Sequence, residues 1–160
     1  MAQMLRCTQC NGEMSLAALE PIEGEEHGVH LRIDAMPALQ CANGHRRFAA
    51  PGFPAQLLDE LLAGPPLVSA GAAKEKGFLR KRLYCPECST PLDTQGGRGR
   101  VASDRSVGIE GLSPFDVHVD LPSYRCASCG HEFVEPPDAM LSDLMKASAQ
   151  AFRAAHIAPG

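Results

Sequence analysis

Asp120-Leu121-Pro122-Ser123-Tyr124-Arg125-Cys126-Ala127-Ser128-Cys129-Gly130-His131-Glu132-Phe133 is the stretch from which the rest of the chain can be read. Its Cys126-x-x-Cys129 turn puts two thiols on one side of a tight loop. A matching pair stands upstream in Leu83-Tyr84-Cys85-Pro86-Glu87-Cys88. Two such knuckles facing each other complete a tetrahedron of thiolates around a zinc ion. A thioredoxin-like redox motif would need only one pair, set in a strand–helix–strand pattern. Neither condition is met. Cys85, Cys88, Cys126 and Cys129 are therefore read as one structural zinc set.

The same unit occurs earlier, so the chain is an internal duplication. The first half opens with Leu5-Arg6-Cys7-Thr8-Gln9-Cys10 and reaches Cys41-Ala42-Asn43-Gly44-His45-Arg46-Arg47-Phe48 after 30 residues, against 37 between the knuckles of the second half. Before each second knuckle lies a strand with period two. Val29, Leu31, Ile33 and Ala35 alternate with polar residues in one half, and Phe115, Val117, Val119 and Leu121 in the other. Each strand meets a proline, Pro37 or Pro122, and the extra residue Met36 suggests a bulge. After each knuckle a Pro-containing turn leads into an amphipathic helix. Leu57, Leu58, Leu61 and Leu62 match Met140, Leu141, Leu144 and Met145, with Phe152 further on. Asp138 is the expected N-cap of the second helix.

The first half supplies only three thiols: Cys7, Cys10 and Cys41. In the ungapped register Gly44 falls at the place of Cys129 and cannot ligate. His45 is one residue on, and imidazole reaches further than a thiol, so His45 is the expected fourth ligand. Two alternatives stand beside it. One is an open zinc with water in the fourth position, which would point to catalysis; the other is a metal-free first half. His131 follows a knuckle that already has four cysteines and is expected outside the ligand set. His118 and His156 read as solvated.

These patterns give a small α+β, metal-stabilised fold. It has two tandem zinc ribbons built on β-hairpins, each followed by a short amphipathic helix, and two zinc ions per chain. The expected units are residues 1–63 and 83–157, with a Gly-, Pro-, Ala- and Lys-rich linker over 64–82. Gly96-Gly97-Arg98-Gly99-Arg100 reads as a hairpin tip, and the acidic stretch Glu20, Glu23, Glu25, Glu26 as a solvated loop.

The run from the Cys85-x-x-Cys88 knuckle through a hairpin strand, a proline and Cys126-x-x-Cys129-Gly130 to an aromatic, a Pro turn and a helix resembles the YgiT-type (MqsA-like) zinc finger. The likeness is closest from Val117 to Lys146 and covers each half in outline. It implies zinc ligation by Cys85, Cys88, Cys126 and Cys129, and by Cys7, Cys10 and Cys41. In antitoxin members of that family the finger contacts a toxin and a helix-turn-helix domain binds DNA. Here a second ribbon stands in place of that domain.

Composition narrows the function. Aromatics are 5% of the 160 residues and Trp is absent, so a small unit needs a staple beyond its core. No apolar run approaches a membrane span, and no basic-then-apolar leader opens the chain, which fits a cytoplasmic protein with reduced thiols. No nucleophile–base set or phosphate loop appears, so the chain reads as non-enzymatic. The first reading is a protein-interaction or regulatory (antitoxin-like) module with a protein partner. The second is nucleic-acid binding through Lys74, Lys76, Arg80-Lys81-Arg82, Arg98, Arg100 and Arg105, with Arg46-Arg47 adding to them. The net charge of −4 and the scarcity of aromatics for base stacking weigh against it.

Overall fold

The computed structural model describes residues 5–63, 71–77, 82–92 and 99–158. The first half runs through β1 (Leu5–Arg6), β2 (Glu13–Ala18), β3 (Ile22–Glu26), β4 (Val29–Asp34), β5 (Pro37–Cys41), β6 (Arg46–Phe48) and α1 (Phe53–Leu62). Then come β7 (Gly71–Ala72), β8 (Lys74–Lys76), β9 (Arg82–Tyr84), β10 (Gly99–Val107), β11 (Phe115–Arg125), β12 (Glu132–Val134), α2 (Pro137–Ala154) and β13 (Ile157–Ala158). The chain is a small α+β protein with mostly antiparallel sheets.

The duplicated strands pair with each other. β4 and β11 run antiparallel with Leu31 opposite Val119 and Ile33 opposite Val117. Since Leu31 corresponds to Val117 and Ile33 to Val119 in the repeat, the two pairs exchange under the duplication. A local two-fold axis therefore passes between these strands. β3 flanks β4 and β10 flanks β11, giving the order β3-β4-β11-β10.

The helices cross over. α2, from the second half, packs on β3 and β4, and α1 packs on β10. The C-terminal carbonyls are capped reciprocally by arginines of the opposite half. Arg105 of β10 donates to Leu61 O at 2.6 Å, at the end of α1. Arg46 of β6 donates to Ala155 O at 3.0 Å, at the end of α2. β13 then pairs in parallel with β6.

One core results. Of its 23 buried residues, ten come from the first half and 13 from the second. Phe48 stacks on Phe53, Phe53 on Phe115, and Phe152 meets Phe48 edge-on. Four of the six phenylalanines thus gather where the halves meet. The sequence suggests two tandem units with separate cores. The structure shares the main core between them, because neither hairpin has a second layer until the other half's helix covers it.

Several local expectations change. The acidic stretch is not a loop: Ile22–Glu26 is strand β3, with Gly24 buried against α2 and Glu23 and Glu25 exposed. In place of a bulge at Met36, the strand breaks at Ala35 (φ 56°), and the chain passes from the β3-β4 sheet to the β2-β5-β6 sheet. β11 instead runs unbroken through Pro122. The second helix takes Pro136 as N-cap, and Asp138 lies in its first turn, where its charge suits the helix dipole. Within the expected linker, residues 71–77 form β7 and β8, which pair with β12 and β9. Residues 64–70 and 78–81, with Arg80 and Lys81, lie outside the described residues, as do Gly96, Gly97 and Arg98. Gly99 and Arg100 belong to β10.

His118 is held rather than solvated. Asp104 lies 2.5 Å from its Nδ1 and Asp34 2.7 Å from its Nε2. The hydrogen bond to Asp104, then that to Asp34, raises its pKa above the ordinary 6.5. The stabilisation is complete below the ordinary value and is lost as pH rises through the raised one.

Gly24 marks a close approach of β3 to α2. A Cβ there would fall inside the Ala147 carbonyl of α2. The obstacle is helix backbone, which cannot swing aside. Gly24→Ala is expected to cost about 3 kcal/mol by overpacking. The thermal midpoint should drop by roughly 10 °C, as read by circular dichroism. An unchanged midpoint would mean that α2 does not sit on β3.

Candidate metal centres

Each centre is assembled from two turns that the sequence forces. In Cys7–Gly12 the Cys7 carbonyl accepts from Asn11 N at 2.8 Å, and Cys7 N donates to Gly12 O at 2.8 Å. Asn11 takes the left-handed conformation (φ 59°) that closes this loop, a conformation asparagine tolerates better than most residues. Cys85–Thr90 repeats it, with Ser89 N to Cys85 O at 2.8 Å, Cys85 N to Thr90 O at 2.9 Å, and Ser89 at φ 63°.

The second knuckles differ by one residue, which explains the missing thiol. In the second half Gly130 N donates to Cys126 O, and Cys126 N to His131 O. In the first, Gly44 N donates to Cys41 O, and Cys41 N to His45 O. Gly44 and Gly130 carry the same positive φ, 82° and 79°. Gly44 is thus the counterpart of Gly130, and His45 of His131. The ungapped register, which set Gly44 against Cys129, is corrected: the first loop is one residue shorter, and the position lost is that of the cysteine.

The ligand atoms converge in both halves. Cys7, Cys10, Cys41 and His45 form one group and Cys85, Cys88, Cys126 and Cys129 the other, with ligand atoms within 4.8 Å of one another in each. In the first, His45 Nδ1 is 3.4 Å from both Cys7 Sγ and Cys41 Sγ, and Cys10 Sγ is 3.7 Å from Cys41 Sγ. In the second, Cys85 Sγ lies 3.4 Å from Cys129 Sγ, and Cys88 Sγ 3.5 Å from Cys126 Sγ. These separations exceed a disulfide bond of about 2.05 Å, and all seven cysteines are free. They match the edges of a donor tetrahedron around a single ion. His131 stays outside its group, with Nδ1 3.3 Å from Cys129 Sγ.

Each centre has a buried side and an open side. Cys7, Cys41, Cys85 and Cys126 are buried, while Cys10, Cys88 and Cys129 are exposed. Hydrogen bonding, first with the Asn43 side chain and then with the Gly12 backbone, lowers the Cys10 thiol from 9.0 to about 6. The Thr90 hydroxyl, then its backbone, brings Cys88 to about 6. Burial pushes Cys41 upward. The thiolate is the ligating form, and binding an ion expels thiol protons. Thr90 also bridges the two knuckles, with its Oγ1 3.2 Å from both Cys88 Sγ and Ser128 Oγ. Nothing in the spacing of the sequence pointed to that brace.

Comparison with protein-family models, with curated proteins and with solved structures finds no match to this chain. Among the described residues no helix is long and apolar enough to cross a membrane.

His45→Ala is expected to remove about one metal equivalent per chain, and His131→Ala none, by elemental analysis of protein purified without added metal. Equal losses from both variants would defeat the assignment of His45 as a ligand.

Proposed function

We propose that the chain is a two-zinc interaction module: two zinc ribbons fused through a shared core, binding a protein partner without catalysing a reaction. The observation that carries this reading is that each donor set is complete. Four protein ligands surround each position, which is the pattern of structural rather than catalytic zinc. Thiolate-rich tetrahedra favour zinc among the common divalent ions. Zinc–sulfur bonds of about 2.3 Å give tetrahedron edges of about 3.8 Å, and the 3.4–3.7 Å separations lie within about 0.4 Å of that, so a small outward shift of the sulfurs accommodates such an ion. The likeness to YgiT-type fingers rests on the Cys85–Cys88 and Cys126–Cys129 knuckles and adds the idea of a toxin-like partner.

A second reading, nucleic-acid binding, is favoured by one local feature. Lys76 faces Arg82 and Lys74 faces Tyr84 across the β8–β9 hairpin, so three cations and an aromatic share one face. Against it, the arginines of the β10 region serve the fold. Arg100 pairs with Asp120 at 2.6 Å, and Arg105 caps α1.

The deciding experiment is a titration with duplex and single-stranded DNA and RNA at two salt concentrations. Weak binding, together with two zinc equivalents per chain, is the expected outcome. Tight binding that falls steeply with salt would put phosphate neutralisation first, and abolition by Lys74→Glu with Lys76→Glu would locate it on the hairpin.

A further inference from the structure

The β1-β2-β5-β6 sheet has an outer face that the main core does not use. Leu5 is opposite Met14, Leu16 opposite Leu39, and Leu39 opposite Arg47, so these side chains share that face. Leu16 is 56% exposed and Leu5 39%. Between this face and the Ala49–Pro54 turn lies a groove of about 580 Å³, lined by Leu5, Leu39, Arg47, Pro51 and Pro54 among others. That is the size of a site that swallows several side chains. Among the described residues that line it, Arg47 is the charged one. Among the described residues the Arg47 guanidinium has no hydrogen bond or carboxylate partner, whereas its neighbour Arg46 is spent on Gln40 and Ala155. Arginine is enriched at interface centres and among the residues that dominate binding energy, and here one without a partner among the described residues stands beside leucine and proline surface.

We propose that this groove is the docking site for the partner, and that the partner presents leucine-like side chains flanked by carboxylates. The proposal rests on the reading of the chain as an interaction module and assigns that module its binding face. The apolar floor supplies the affinity. Arg47 supplies the selection, since an acidic partner satisfies it and a basic one leaves it desolvated and repelled. The face is carried by strands that the first metal centre ties together. Cys7 and Cys41 lie in the same small cluster as Met14 and Leu39, so the first centre and the floor of the groove share a packed patch.

The test uses the zinc-loaded full chain and two short fluorescein-labelled peptides with leucines at helical spacing. Glutamates occupy the intervening positions of one, and lysines those of the other. The acidic peptide is expected to bind by fluorescence anisotropy, and to shift amide resonances of β1, β2, β6 and residues 49–54. Arg47→Glu should weaken it by about tenfold at low salt and raise affinity for the lysine peptide. Leu16→Ser should weaken it as well, and Lys74→Glu should leave it unchanged. Equal binding of the two peptides, no binding of either, or insensitivity to Arg47→Glu would overturn the proposal. So would sedimentation showing that a second copy of the chain buries the groove. Peptide-induced shifts confined to another surface would sink the groove while leaving the interaction module standing. Salt-steep nucleic-acid binding would sink the module itself.

Discussion

On the two-zinc reading, treatment with a strong chelator is expected to erase the amide dispersion of residues 5–18 with 37–48 and of residues 82–92 with 124–134. Among the described residues, four buried residues form the cluster at the first candidate centre: Cys7, Met14, Leu39 and Cys41. The second has six. So few buried side chains do not offset the backbone entropy of the residues ordered around each cluster; in the two-zinc reading, metal binding supplies the folding free energy that the apolar contacts lack. The shared core, with its 23 buried residues, does not face this deficit, so its amides should keep their dispersion. Its thermal midpoint should still fall, because β6 carries Phe48 and the Arg46 cap of α2. A sample shown by elemental analysis to be metal-free, yet retaining ribbon dispersion, would refute this account.

What the sequence makes legible follows from range. The knuckles are local: Cys-x-x-Cys and a following small or polar residue specify their own turn, so the grouping of Cys7, Cys10, Cys41 and His45 and that of Cys85, Cys88, Cys126 and Cys129 are legible in the sequence. The strands around Leu31 and Val119 and the leucine stripe of α1 were readable from their periods. Which half each element packs against was not. A period marks a buried face and says nothing about the surface that covers it, so the crossing of α1 and α2 left no trace. Gly24 shows the same limit. Glycine among glutamates reads as a turn, yet here its missing side chain serves a close helix contact. β7 and β8 escaped because strands of two and three residues have no period. The one-residue deletion in the first knuckle could have been found by aligning Gly44-His45 with Gly130-His131 instead of Cys41 with Cys126 without a gap.

A fragment comprising residues 1–63, supplied with zinc, is expected to load one metal ion and yet fail to form the native β3–β4 hairpin. The first centre is local to the fragment, so its stoichiometry should survive. The hairpin is not. Leu31 and Ile33 are completely buried in the full chain, with β11 along one edge of β4 and α2 covering β3 and β4. Without those elements the fragment exposes an apolar strand edge and face, a combination that promotes aggregation. The ten core residues of this half would have no second layer against them. Adding the complementary fragment, residues 64–160, should restore the hairpin resonances and a single cooperative thermal transition. A first-half fragment showing native chemical shifts for β3 and β4 on its own would establish two independent units joined by a linker, and the local two-fold would then be packing between finished domains. Zinc content alone cannot distinguish these outcomes, because the knuckles load in both. The β4 amides decide, since their native environment requires strand β11.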